Sequence, residues 1–452
     1  MMSFAPLTPI ATLLTDLEVG RTSATALLET ALERAADPAG EGARVFVHQM
    51  VDTARAEAEA SDGLRRAGVA PRPLEGLPIS IKDLFDVRGH VTTAGSKVLA
   101  DEPPAEVDAP IVARLRAAGA VLVGRTNMTE FAFSGIGINP HNGTPANPWD
   151  RDTRRIPGGS SSGAAVSVAD GMATVGIGSD TGGSVRIPSG LCGLAGFKPT
   201  QRRVPTVGAC ALSPTLDSIG PLAPTVACAA RVHQVMAGEP VRPIGRRSVA
   251  GLRFAVPQSL VLEDLDGTTA QCFEAALSRL SAAGAVITEI PFKELLAISE
   301  ANAKGGFAAV ECYELHSRHV IRAPDLFDPR VVVRIRRAGE QSAVDYITLV
   351  RRRAEIQAAC NAVTAPFDAV LMPTTARIAP PIAELEASDE AFAKNNILML
   401  RNCSVGNFLD RCAATVPVQE PGSAPVGLML MGETMGDDAL LSVSAAVESV
   451  FR

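Results

Sequence analysis

Aromatic side chains are scarce: one Trp, two Tyr and 15 Phe in 452 residues. The core must therefore be built mainly from Ala, Val, Leu and Ile, which suits α/β packing. Cysteine is present but unpatterned. Positions 192, 210, 228, 272, 312, 360, 403 and 412 form no CxxC pair, which speaks for reduced thiols in apolar space and against a disulfide frame or a zinc site. Basic charge is not in excess: the net charge is −7, where a nucleic-acid surface wants clustered positive charge. No apolar run reaches the roughly 18–20 residues that a membrane helix needs. The N-terminal MMSFAPLTPIATLL lacks a basic stretch and a cleavage site, so no signal peptide is expected and the expected location is the cytoplasm.

What is present is alternation. Thr22 or Ser23 caps a helix running to Ala36, and a second helix covers Val51 to Ala67. Leu77 to Ile81 reads as a short buried strand with Lys82-Asp83 at its exit. Asp108 opens a helix to Ala118, Gly119 stops it, and strand Ala120–Gly124 follows. The same device recurs as helix Thr268–Ala283, Gly284 and strand Ala285–Ile290. Further strands are expected at Ala369–Met372, Ala414–Val418 and Val426–Met431, before a closing helix Asp437–Val450. This pattern predicts an α/β fold with a largely parallel sheet. Strand signals on both sides of the charge-rich helical stretch Ile298–Arg353 predict one domain over 1–452, with that stretch laid over one side of the sheet.

The chemistry concentrates in PGGSSSGAAVSVADGMATVGIGSDTGGS, Pro157 to Ser184, where two Gly-Gly-Ser turns stand twenty-four residues apart. Glycine admits positive φ and lets a substrate approach main-chain N–H groups. Neither turn is followed by the lysine of a phosphate-binding loop, so a nucleotide site fails at its defining residue. Neither has the G-x-S-x-G form of a serine elbow with a distant His. His316 and His319 have helical spacing but no third ligand, and read as a solvated helix face. Cys192, in LCGLAG, reads as packed structure. A neutral lysine can serve as base where burial depresses its pKa. Lys82 ends an apolar strand, where a lysine is costly unless used or paired; it is either that base or a strand-end partner of Asp83.

The string GGSSSGAAVSVADGMATVGIGSDTGGSVRIPSGLCGLAGFKPT resembles the signature of the amidase signature family, and GLPISIKDLFDVRG and GRTNMTEFAFSGIGINPHNGTPANPWD resemble its lysine strand and substrate loop. The resemblance is dense from about Leu74 to Pro224 and continues weakly through FDAVLMPTT and APVGLMLMGE. It implies a large mixed, mostly parallel, twisted sheet covered by helices on both faces. It implies Ser184 as nucleophile, Ser160 as a bridging serine after a cis Gly159–Ser160 bond, and Lys82 as base. The oxyanion would rest on N–H groups of Thr181, Gly182, Gly183 and Ser184. Asp180 and Arg186 would brace the nucleophile's loop and Ser161 would support it. Ser162 stands where the family often has glycine, which tightens the turn and leaves the relay intact. Neither metal nor cofactor is implied.

Met128, Phe131 and Phe133, with Ile136 and Ile138, are expected to line the acyl pocket or to be ordinary core. The expected partner is a small-molecule amide, with no nucleic acid and no membrane; a homodimer stays open. The alternatives are the glutaminase subunit of a tRNA-dependent amidotransferase, and a biuret- or allophanate-type hydrolase. The amidotransferase branch carries an aspartate about seven residues before an Asn-Leu-Ala-Gly segment. Set against Asn407-Phe408-Leu409-Asp410, that position is Leu400, which favours a stand-alone amidase.

Overall fold

The computed structural model describes residues 7–245 and 247–452. Of the N-terminal segment read for a signal peptide, residues 1–6 lie outside the described residues, and Ile10–Glu18 is a helix. No helix among the described residues is long and apolar enough to cross a membrane.

Eleven strands form one sheet. In chain order they are β1 (Phe46–Gln49), β2 (Pro78–Lys82), β3 (Val121–Thr126), β4 (Val175–Asp180), β5 (Ala195–Lys198) and β6 (Ser218–Ala223). The second half adds β7 (Arg253–Pro257), β8 (Val286–Ile290), β9 (Ala369–Pro373), β10 (Ala413–Pro417) and β11 (Gly427–Met431). The spatial order is β1-β3-β2-β4-β6-β5-β10-β11-β9-β7-β8. Strands from both ends of the chain thus complete one sheet, as expected. The sheet is mixed, with a smaller parallel share than the sequence suggests. Pairing is parallel within β3-β2-β4 and β9-β7-β8 and antiparallel elsewhere. The antiparallel centre arises because β5, β6, β10 and β11 are neighbours without crossover helices between parallel partners.

Alternation along the strands puts side chains into different cores. Leu428 and Leu430 of β11 join one buried cluster and Met429 and Met431 another. Leu122 of β3 belongs to the first cluster, while Val121 and Val123 pack in a third with helices Ala24–Ala36 and Ser162–Ala169. Both faces of the sheet are therefore covered, which is why its strands read as continuous apolar runs. Boundaries follow local chemistry: Ser23 Oγ caps Ala24–Ala36, and Asp266 caps Gly267–Ala282.

The stretch Ile298–Arg353 is helical, as Leu296–Ala301, Gly306–Arg322, Pro329–Arg336 and the start of Ala343–Thr364. His316 and His319 correct the expectation of a solvated face. Both are buried; His316 Nε2 lies 3.0 Å from the Ala211 carbonyl and its ring packs 4.6 Å from that of Phe131.

Candidate active site

Two parallel neighbours, β2 and β4, end side by side. The last residue of β2 is Lys82 and the last of β4 is Asp180, so a lysine and the turn after Asp180 meet at one end of the sheet. Lys82 is fully buried. Its Nζ donates to Ser160 Oγ at 2.7 Å and to Ser179 Oγ at 2.9 Å. Asp83 is not its partner: that carboxylate pairs with Arg125 at 3.0 Å. Burial pushes the Lys82 ammonium down from 10.5 to about 7, against the pull of Asp217 and Asp180. Near neutral pH a large share of it is the free amine, the only form that can accept a proton. Lys198, at the end of β5, is the contrast. It too is buried and pushed down to about 8 by burial and by Arg186, but its Nζ donates to the Pro199 carbonyl instead of to a hydroxyl.

Ser160 follows the cis Gly159–Ser160 bond. It stands at the entrance of helix Ser162–Ala169, where Ser161 N donates to the Ser184 carbonyl at 3.3 Å and sets the two glycine turns side by side. Ser161 Oγ donates to the Ser179 carbonyl at 3.4 Å, and Ser162 Oγ to the Asn127 carbonyl at 3.4 Å. Ser184 lines the pocket, and its hydroxyl makes no hydrogen bond among the described residues. The Lys82–Ser160 contact is thus formed and the Ser160–Ser184 hydroxyl contact is not.

The turn is shaped by a buried ion pair. Arg186 Nη2 and Nε donate to the Asp180 oxygens at 2.8 and 3.0 Å, both residues being fully enclosed. Asp180 also accepts from the main-chain N–H of Gly183 (2.9 Å) and Val185 (3.1 Å), and Asn407 Nδ2 donates to it at 2.9 Å. Burial alone would raise this carboxyl, but the Arg186 guanidinium together with Lys198 and Asn407 outweighs burial and holds it well below the usual range. One expectation changes as a result. Gly183 N–H is committed to Asp180, whereas those of Thr181, Gly182 and Ser184 have no partner among the described residues. Gly183 is required for its shape: φ is +129°, and a Cβ would stand 2.5 Å from that of Cys403.

The pocket in front of Ser184 holds about 260 Å³. Thr181, Gly182 and Leu212 floor it, and Phe133, Phe307, Arg334, Leu400 and Phe408 wall it. Of the aromatic positions expected there, only Phe133 faces this space. Met128, Phe131 and Phe133 all belong to the main core, Phe131 stacked 5.4 Å from Phe327, and of the three Phe133 also lines the pocket. Ile136 and Ile138 belong to the second buried cluster. Cys192 is buried, bonded to the Pro157 carbonyl and pushed up by burial, so it stays a thiol.

Sequence reasoning passed over Ser179, Asp217, Asn407 and Arg334. Ser179 had a signal, since it sits one residue before Asp180 on the strand beside Lys82. Asn407 had a weaker one, in the loosely aligned C-terminal segment. Arg334 is one arginine in the charge-rich VVVRIRRAGE, and nothing local marks it out. In the fold its Nη1 donates to the Phe133 carbonyl and its guanidinium lies 4.6 Å over the Phe133 ring. It pairs with no carboxylate among the described residues, and burial lowers its pKa to about 10.

A lysine and two serines on adjoining turns can hydrolyse acyl compounds, and the comparisons with known proteins agree. The chain is 37% identical over 410 residues to a 2-amino-5-chloromuconic acid deaminase of Comamonas testosteroni, covering 88% of this chain and 86% of that one. It is 33% identical over 474 residues to a glutamyl-tRNA(Gln) amidotransferase subunit of Chloroflexus aggregans, covering 96% and 95%. A crystal structure of an amidase superposes with a TM-score of 0.88 at 32% identity, over 98% of this chain and all of that one. A family model described as Amidase matches residues 26–441; the chain belongs to the amidase family and is a hydrolase of amide C–N bonds.

Proposed function

We propose that this amidase cleaves small amides that carry a carboxylate and no ammonium group, through an acyl-enzyme on Ser184. The observation that carries the chemistry is the 2.7 Å contact between Ser160 and a buried Lys82 whose ammonium burial pushes down to about 7. Lys82 takes the Ser160 proton as Ser160 takes that of Ser184, and Ser184 Oγ attacks the amide carbon. This needs the Ser184 hydroxyl to turn toward Ser160, a contact of the kind that closes only with substrate in place. The oxyanion rests on the free N–H groups of Thr181, Gly182 and Ser184; in other enzymes the loss of one such donor costs about 3–4 kcal/mol. Ser160 then returns the proton to the leaving nitrogen, without which an amine leaves poorly. Water, activated by the same relay, releases the acid.

Substrate class follows from the charges in the pocket. Among the described residues one cation, Arg334, faces it and no carboxylate lines it. A substrate acid finds a partner there, whereas an α-ammonium group would be desolvated without one. Leu400 and Phe408 leave an apolar wall where an amino acid's ammonium would need an acid. This favours an acid amide over glutamine, and so a stand-alone hydrolase over the amidotransferase reading.

The test is a panel at equal chain length: the half-amides of succinic and glutaric acid against butyramide and valeramide, with glutamine, biuret and benzamide alongside. The half-amides should exceed their neutral counterparts in kcat/KM by about tenfold or more, as a charge-assisted bond warrants. Neutral or aryl amides turned over as well as the half-amides would overturn the substrate class. Glutamine as the best substrate would restore the amidotransferase reading.

A further inference from the structure

Beneath the Ser184 turn lies a carboxylate that no step above uses. Asp217, the last loop residue before β6, is 7% exposed. Its Oδ1 accepts from Thr181 Oγ1 at 2.5 Å, and its Oδ2 from the N–H groups of Leu212 and Ser213 at 3.0 and 3.1 Å. Thr181 belongs to the turn that carries Ser184. Ser179, two residues earlier, is the second hydroxyl held by Lys82. Ser179, Thr181 and Asp217 line one enclosed space of about 10 Å³, which is no larger than a single water requires. The loop is pinned from its other side by Glu311 of helix Gly306–Arg322, which accepts from Ser213 Oγ at 2.5 Å and Thr215 N at 3.1 Å. Asp217 is therefore held by its loop and by Thr181 on the same small space that the lysine's hydroxyl partner Ser179 lines.

We propose that Asp217 is the counter-charge of Lys82: it governs when the lysine gives up its proton and stabilises the ammonium that forms as Ser184 attacks. The proposal rests on Lys82 being the base. Around the pair, Asp180 is neutralised by Arg186 and the Cys210 and Cys312 thiols stay protonated through burial, while Glu311 faces the far side of the loop. Asp217 has no cation within 4 Å among the described residues, so its charge is free to act on Lys82. Burial pushes the Asp217 carboxyl up to about 6, and it exerts the largest charge effect on Lys82, upward. Two groups so placed lose their protons in steps that belong to the pair. Opposite charges favour each other's ionised forms, so removing the carboxylate frees the amine at lower pH and also withdraws stabilisation from the ammonium.

The test is the pH dependence of Ser184 sulfonylation by a sulfonyl fluoride, in which Ser184 Oγ displaces fluoride from sulfur and which needs no knowledge of the natural substrate. It is run on the wild-type chain and on Asp217→Asn, Thr181→Val and Lys82→Ala. Asp217→Asn should move the midpoint of the acid limb down by about 1 pH unit and slow sulfonylation on the plateau. Thr181→Val removes the hydrogen bond that favours the ionised carboxyl, so Asp217 protonates at higher pH and the midpoint moves down by less. A merely structural Asp217 would slow both variants and leave the midpoint where it was. Unmoved midpoints in folded variants, with Lys82→Ala inert, would overturn the role of Asp217 and leave the base intact. Rapid sulfonylation of Lys82→Ala would remove the base itself. Where Asp217→Asn fails to fold, Thr181→Val decides.

Discussion

The stretch from Lys82 to Arg186 and the helices from Ile298 to Phe408 face the same pocket, yet they contribute in opposite ways. The first holds its groups by local backbone geometry: adjacent strand ends, a Gly-Gly-Ser turn, and an ion pair six residues long between Asp180 and Arg186. The second contributes Phe307, Arg334, Leu400 and Phe408, each from a different helix or a different turn of one, brought together only by packing. On the reading proposed above, reaction type is written in a contiguous segment, and substrate choice in a dispersed set. Changes in the first region should abolish turnover whatever the substrate; changes in the second should alter preference and leave the chemistry standing.

The largest effect expected is from Lys82→Met. It should lower kcat by about 10³-fold or more, within the range for a lost general base, and Lys82→Arg should be as poor, because arginine stays charged. Stability should move the other way. The folded chain binds the lysine proton only below about 7, against 10.5 for a free side chain, so burial of Lys82 weakens the fold fully below about pH 7 and progressively less as pH rises toward 10.5. Lys82→Met should therefore melt higher than the wild type at pH 7, with the gap closing by pH 10. A lower melting temperature at pH 7 would contradict the buried free amine.

Asp180→Asn should damage both properties. It leaves Arg186 charged and buried and, because asparagine keeps only one acceptor oxygen, sets an NH2 group against one of the two N–H groups, of Gly183 and Val185, that Asp180 accepts from. The expected loss is about 3–5 kcal/mol of stability, measured by denaturant unfolding, together with activity toward every amide tested. A mild stability loss would mean that the pair does not hold the turn.

Arg334→Met is the smaller, sharper test. For half-amides of dicarboxylic acids kcat/KM should fall by about 10- to 100-fold, mostly in KM, while neutral amides change little. An equal fall for both would move Arg334 from recognition into the scaffold and erase the contrast between the regions.

That contrast also sets what could be read in the sequence. The apolar strands around Ile79, Val370 and Leu428, and the serine turns, were legible because they are local. β5 and β6 were hidden by glycine and proline in AGFK and SIGPLA, which read as turns until neighbours complete the ladder. Helix Asp389–Phe408 showed no stripe, because it buries asparagines as well as apolar residues around its circumference. Met128 and Phe131 followed the motif but not the pocket, because their apolar side chains are taken up by the main core. Asp217 in LSPTLDSIGP looks like a surface-loop acid, yet in the fold it is buried in a loop pinned by Glu311 of helix Gly306–Arg322.

The most direct measurement is mass-spectrometric mapping of the acyl group trapped by rapid acid quench during turnover of a slow amide or ester. The acyl mass should appear on the peptide bearing Ser184, and be absent from Ser184→Ala. An adduct on Ser160 or any cysteine, or turnover by Ser184→Ala at the wild-type rate, would contradict it.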